Sequence, residues 1–515
     1  MRAALHDLVS GAAARTPDAP ALTYKADTVT YGELWDAVQG AACQLVGCGV
    51  RRGDRVAIYL EKRIETVTAM FAASLAGALF VPINHVLKAP QVGHILADCG
   101  ARVLITSPDR LAQLADALAG SAIERVVVVG EPPAELAVVT DAWADHGSPF
   151  AVPLARVDLD PVAILYTSGS TGKPKGVVLS HRNLIVGAES VSSYLRNTAD
   201  DVILSVLPLS FDAGLSQVTT AFAVGAHCVL MNYLLPREVP KLCAKHGVTG
   251  LTCVPPLWLQ ILDAPWPPEV AARLRYFANT GGRMPRTALD RLRGIFTEAA
   301  PYLMYGLTEA FRSTYLDPCE VDRRPDSIGK AIPNAEILVM RPDGTECDAG
   351  EHGELVHRGP LVALGYWNDP VRTAERYRAI PRAGEDWRTP ELAVWSGDTV
   401  VKDAEGFLYF VGRTDDMIKT SGYRVSPTEV EEAAYATGLV RDAVAVGVDD
   451  AVLGQRIVLV VAAAGAGLET DAVITAMRKQ LPLYMVPSRV EVRGDLPRSP
   501  NGKFDRALIK SEVTS

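Results

Sequence analysis

At 515 residues the chain exceeds what one hydrophobic core serves, so a large body and at least one further domain are expected. Apolar residues make up 48% and charged residues 22%, which excludes a disordered chain and a fibre. With 51 basic against 60 acidic side chains, a net charge of −9 and no long Lys/Arg run, no nucleic-acid or anionic-membrane partner is expected. The eight cysteines, Cys43 to Cys347, are scattered, with no CxxC pair and no His beside one at metal-ligand spacing. They read as reduced, mostly buried thiols of a cytoplasmic protein, and His6 and Asp7 interrupt the apolar run that a secretion signal would need.

In chain order, the short β-rich runs Arg55–Leu60, Val103–Thr106, Val126–Val129 and Val202–Ser205 alternate with longer Ala/Leu-rich stretches. That alternation predicts βα units and largely parallel sheets with helices outside. Thr66–Ile83 carries no charge and is long enough to span a bilayer, but its Ala and Gly content and closing Pro82 predict a buried helix running into a strand. From about Ile337 the texture changes to short strands broken by Gly and Asp, which predicts a smaller β-rich subdomain. After Gly412-Arg413 come a helix over Ser426–Ala436, strands near Ala443–Val448 and Ile457–Val461, and a helix over Asp471–Leu481. The expected division is therefore 1–414 and 415–515, an α/β body followed by a small α+β domain.

The most specific local signal is Tyr166-Thr-Ser-Gly-Ser-Thr-Gly-Lys-Pro-Lys-Gly176, which follows the apolar run Val162–Leu165. Its glycines let backbone N–H groups converge, and its hydroxyls and lysines add donors for phosphate oxygens. A Walker A loop would need Gly in place of Thr167 and Ser or Thr in place of Pro174, so this is a different phosphate loop.

The segment resembles the signature loop of the adenylate-forming superfamily of acyl-CoA synthetases, peptide-synthetase adenylation domains and luciferases. Four more segments match that family in order: Tyr305-Gly-Leu-Thr-Glu309, Ser396-Gly-Asp398, Gly412–Arg424 and Pro500-Asn-Gly-Lys503. The resemblance implies ATP and Mg²⁺ as requirements. It places Thr167, Ser168, Gly169, Ser170, Thr171, Gly172 and Lys175 on the phosphates, and Gly281, Gly282, Met304, Tyr305 and Gly306 around the nucleotide, with Tyr305 stacked on adenine. It assigns Thr308 to the α-phosphate, Glu309 to Mg²⁺, and Asp398 and Arg413 to the ribose. Lys503 is the expected catalytic cation, near the attacking carboxylate and the α-phosphoryl oxygens.

Two half-reactions are implied: the substrate carboxylate displaces pyrophosphate from ATP, and a thiol then displaces AMP from the acyl-adenylate. The resemblance also implies that the small C-terminal domain is mobile and rotates between the two steps about Asp415.

The acid itself is signalled by Leu207-Pro-Leu-Ser-Phe-Asp-Ala-Gly214, where Phe-Asp resembles amino-acid adenylation domains and acyl-CoA synthetases commonly have Phe-His. Asp212 would accept the substrate ammonium, and a carboxylate beside a fatty chain would be desolvated without a partner. Cys253, Gly281, Met304, Arg312 and Ser313 align with other pocket positions and suggest a small or medium cavity. Arg312 would pair either with a substrate carboxylate or with an acid of the protein, the second being favoured.

Tyr305–Arg312 resembles free-standing ligases that load proline or another small amino acid onto a separate carrier protein. No carrier signature follows Arg506, so the expected acceptor is the phosphopantetheine of another polypeptide. The alternatives are an acyl-CoA synthetase using a fatty or aryl acid with free CoA, which Gly422–Glu429 resembles equally, and a catalytically silent nucleotide-binding member.

Overall fold

The computed structural model describes residues 2–133, 138–144, 157–167, 174–380, 387, 389–413, 417–465, 467–497 and 504–514. Among them, two large sheets form the body. The first has nine strands, and six of them run parallel in the order Ala300–Tyr305, Tyr276–Asn279, Gly250–Cys253, Val202–Ser205, His227–Leu230 and Pro20–Tyr24. The second has eight strands, and its parallel part runs Pro161–Thr167, Leu79–Pro82, Arg55–Tyr59, Val103–Thr106, Arg125–Val128 and Val139–Ala142.

Helices Ile64–Ala76, His181–Tyr194 and Asp212–Val224 pack in one apolar cluster between the sheets, with Met70, Phe71 and Phe222 at its centre. This explains why Thr66–Ile83 is apolar without being a membrane span: the helix ends at Gly77, with φ +80°, and the strand Leu79–Pro82 enters the sheet. No helix of the described residues is long and apolar enough to cross a membrane.

The β-run expectations hold where branched residues dominate. Val103–Thr106 and Val202–Ser205 are strands with the expected bounds, whereas Arg55–Tyr59 and Arg125–Val128 each end one residue earlier than expected. A third, antiparallel sheet begins at Glu336, where the texture of the sequence changes, and closes with Leu408–Arg413. A fourth sheet, built from Ile418 to Arg493, carries helices Pro427–Tyr435 and Thr470–Arg478 on its own apolar cluster. Both helices start within a residue of the expected positions, because Pro427 presets the first turn and Val473 and Met477 supply the buried stripe.

Candidate active site

A cleft of about 1480 Å³ opens at the carboxyl ends of the parallel strands, where open α/β sheets bind their ligands. Its walls carry Thr167, Gly281, Gly282, Met304, Tyr305 and Gly306 from the expected nucleotide set, together with Thr308, Glu309 and Asp398. The expected phosphate-loop residues Ser168–Gly172, the expected hinge Asp415 and Lys503 lie outside the described residues, as does the side chain of Arg413.

The strand Ala300–Tyr305 delivers Tyr305 to the cleft, and its hydroxyl donates to Asp398 Oδ2 at 2.5 Å. Asp398 pairs in register with Arg413 across two antiparallel strands, so residues far apart in sequence meet at one end of the cleft.

At the other end, Lys175 Nζ lies 3.0 Å from Glu309 Oε1, which also accepts from the Tyr366 hydroxyl at 2.7 Å. Burial pushes the Glu309 carboxyl up, but Lys175, Arg424 and the Tyr366 hydroxyl together hold it well below the usual carboxylate range. An ionised carboxylate suits a hard cation that is otherwise held by substrate phosphates. Among the described residues no cluster of three His, Cys, Asp or Glu could enclose a metal alone; as a single ionised carboxylate, Glu309 would fit Mg²⁺ beside phosphate oxygens of a nucleotide. Thr167 Oγ1 is buried with no hydrogen-bond partner among the described residues, an orphan that a phosphate oxygen would satisfy.

The turn after Tyr305 is strained: Phe311 is fully buried with φ +57° and ψ −53°, a positive-φ conformation costly for an aromatic residue. It reverses the chain so that Glu309 and Arg312 both line the cleft.

Asp212 starts the helix Asp212–Val224 and lines the same cleft. Burial raises its carboxyl pKa, opposed by Arg312, whose Nη1 lies 3.8 Å from Oδ2, and by the Thr308 hydroxyl, which donates to Oδ1 at 3.3 Å. The protein acid facing Arg312 is therefore Asp212 itself, the residue expected to hold the substrate ammonium. The helix start is tight: a Cβ on Gly214 would stand 2.0 Å from the Pro208 carbonyl oxygen. Gly214→Ala is expected to destabilise the fold by at least ~1–3 kcal/mol, read from urea unfolding, because backbone must shift and carry Asp212 with it.

Two expected pocket residues lie off the cleft wall. Cys253 is fully buried inside its strand, and Ser313 faces inward to His357 Nδ1 at 2.9 Å. Their neighbours Val254 and Arg312 line the cleft instead.

Sequence reasoning missed three contributors. Tyr366 holds both Lys175, at 2.6 Å, and Glu309. Arg424 acts on Glu309 from the fourth sheet. Tyr423 packs edge-on against Phe211 at 5.2 Å and stacks on Tyr484 at 3.6 Å, so the Ser421–Arg424 turn closes one side of the cleft. Gly422, with φ +79°, lets that turn approach Val254, which a Cβ would meet at 2.7 Å. The order of the Gly412–Arg424 motif was the available signal for Arg424, whereas nothing local marked Tyr366.

Residues 9–367 match the model of the AMP-binding enzyme family, and residues 429–503 match its C-terminal domain. The feruloyl-CoA synthase of an Amycolatopsis species is 33% identical over 97% of this chain and 96% of that enzyme. The L-proline–[L-prolyl-carrier protein] ligase of Pseudomonas fluorescens is 29% identical over 99% of both. Among solved structures, the o-succinylbenzoate CoA synthetase of Bacillus subtilis superposes with a TM-score of 0.83 at 26% identity, covering 98% of each chain. The chain belongs to the AMP-binding enzyme family and is an AMP-forming acid–thiol ligase.

Proposed function

We propose that this ligase activates a small amino or imino acid, a proline-like one included, as its aminoacyl-adenylate and passes it to the phosphopantetheine thiol of a separate carrier protein. The observation that carries this reading is Asp212: a buried cleft carboxylate whose pKa stays raised although Arg312 faces it. At 3.8 Å the pair is loose, and Arg312 Nη1 donates instead to Thr280 Oγ1 at 2.8 Å. A substrate ammonium against Asp212 would supply the missing compensation. The prolyl-carrier ligase, similar over its whole length, is in keeping with it.

In this reading one carboxylate oxygen of the substrate attacks the α-phosphorus of ATP and pyrophosphate leaves. Lys503 stabilises the charge on the α-phosphoryl oxygens, Thr308 donates to them, and Lys175 and the 168–172 loop hold the leaving phosphates. Mg²⁺ on Glu309 would neutralise phosphate charge. The thiol sulfur then attacks the adenylate carbonyl and AMP leaves.

Between the steps residues 415–515 rotate about Asp415. Fixing φ there with Asp415→Pro is expected to leave ATP–pyrophosphate exchange running while thioester formation drops by about ten-fold or more. Wild-type rates in both assays would move the hinge elsewhere.

The Arg312–Asp212 pair also favours a second reading. With Arg312 as counter-ion, the pocket accepts an acid without an amino group, and the acceptor is free CoA. ATP–pyrophosphate exchange across paired amino acids and their deamino analogues tests the choice: preference for the amino member upholds the first reading, and preference for the deamino member upholds the second.

A further inference from the structure

Lys62 is 4% exposed, yet it lines the cleft. Its ammonium donates to the Ser205 carbonyl at 2.6 Å, while its backbone is clasped by the Asn232 side chain at 2.9 and 2.7 Å. No carboxylate lies within ion-pair distance of it among the described residues, for its neighbour Glu61 is taken up by Arg63 and Arg110. A buried ammonium with one carbonyl acceptor is an expensive arrangement, since two of its three donors lack a partner among the described residues.

Ser210 borders the same small recess as Lys62, is 7% exposed and lines the cleft, and its buried hydroxyl has no hydrogen-bond partner among the described residues. Ser210 stands two residues before Asp212 on the turn that enters the substrate-facing helix. A cation with spare donors, from the turn after the strand Arg55–Tyr59, and an orphan hydroxyl, from the turn that carries the residue facing the acid, thus border one small recess of the cleft.

We propose that Lys62 and Ser210 receive a second, anionic group of the carboxylic acid that this ligase activates, so that the substrate carries a distal carboxylate. The inference rests on acyl-adenylate formation in this cleft and deepens that reading by naming the chemical class of the acid. It applies with or without an α-amino group. Burial holds the Lys62 ammonium down to about 7, so near neutrality the side chain takes up its proton readily when an anion arrives.

The test uses the full chain and two series of non-hydrolysable acyl-adenylate mimics, acyl sulfamoyladenosines. Their chains run from succinyl to suberyl length, end in a carboxylate or in a methyl group, and are made with and without an α-amino group. Calorimetric binding at pH 8 is compared for wild type, Lys62→Met and Ser210→Ala. At one chain length the carboxylate mimic is expected to bind wild type about ten-fold or more tighter than its methyl partner, with proton uptake visible as a dependence on buffer ionisation enthalpy. Lys62→Met is expected to erase both the preference and the uptake, and Ser210→Ala to reduce the preference. If Lys62→Met does not fold, the Ser210→Ala ratio and the wild-type proton uptake still decide.

A methyl preference at every length, or a carboxylate preference that survives both substitutions, overturns the proposal and leaves Lys62 as a strut to the Ser205 carbonyl. Failure of every mimic to bind also overturns it, whereas acyl-adenylate formation itself is tested separately by ATP–pyrophosphate exchange.

Discussion

Lys503→Ala is expected to abolish ATP–pyrophosphate exchange while leaving thioester formation from supplied acyl-adenylate largely intact. In the proposed mechanism the cation serves the first transition state, where charge builds on the α-phosphoryl oxygens. Removing one such preorganised donor costs roughly 10²–10³ in rate, about 2.7–4 kcal/mol. Single-turnover assays of each half-reaction separate this from damage to the fold, since a folding defect lowers both rates together. Equal loss of both would remove Lys503 from the catalytic role that its motif implies.

Asp212→Ala carries the second large effect and discriminates the substrate class. For an amino acid the substitution leaves an ammonium without its partner in a dehydrated pocket, at a cost of roughly 3–5 kcal/mol, or about two to four decades in kcat/KM. The structure adds a complication: Arg312, 2% exposed, loses its counter-charge at the same time. Asp212→Ala alone is therefore expected to destabilise the fold as well, and Asp212→Ala with Arg312→Met restores stability without restoring amino-acid activity. For a fatty or aryl acid the double variant removes a polar pair from an apolar site, so activity is retained or improved. Exchange kinetics with the best amino acid and its deamino analogue, read beside urea unfolding, distinguish the outcomes. Deamino preference in wild type that survives the double substitution would sink the amino-acid assignment.

The sequence by itself determined the family, because five motifs in a set order each specify a local backbone and a charge, and local features survive without knowledge of the fold. It also determined most element positions. Runs such as Val103–Thr106 are β-branched and bounded by turn residues, and Pro427 starts a helix wherever the chain puts it.

Only the tertiary structure decided which faces meet. Val254 and Arg312 line the cleft while their neighbours Cys253 and Ser313 turn away, a distinction of one residue. Side chains alternate across extended backbone, so an alignment off by a single position chooses the wrong face. The partnership of Arg312 with Asp212 spans a hundred residues, and that of Tyr366 with Glu309 spans 57. No local pattern encodes such pairs, because they arise from a strained turn at Phe311 and a two-residue strand, Gly365–Tyr366, at the edge of another sheet. Lys62 is the clearest case. In sequence it sits in an ordinary Glu-Lys-Arg run of the kind that usually forms a solvated face, and only the packing of two sheets against each other buries its ammonium in the cleft.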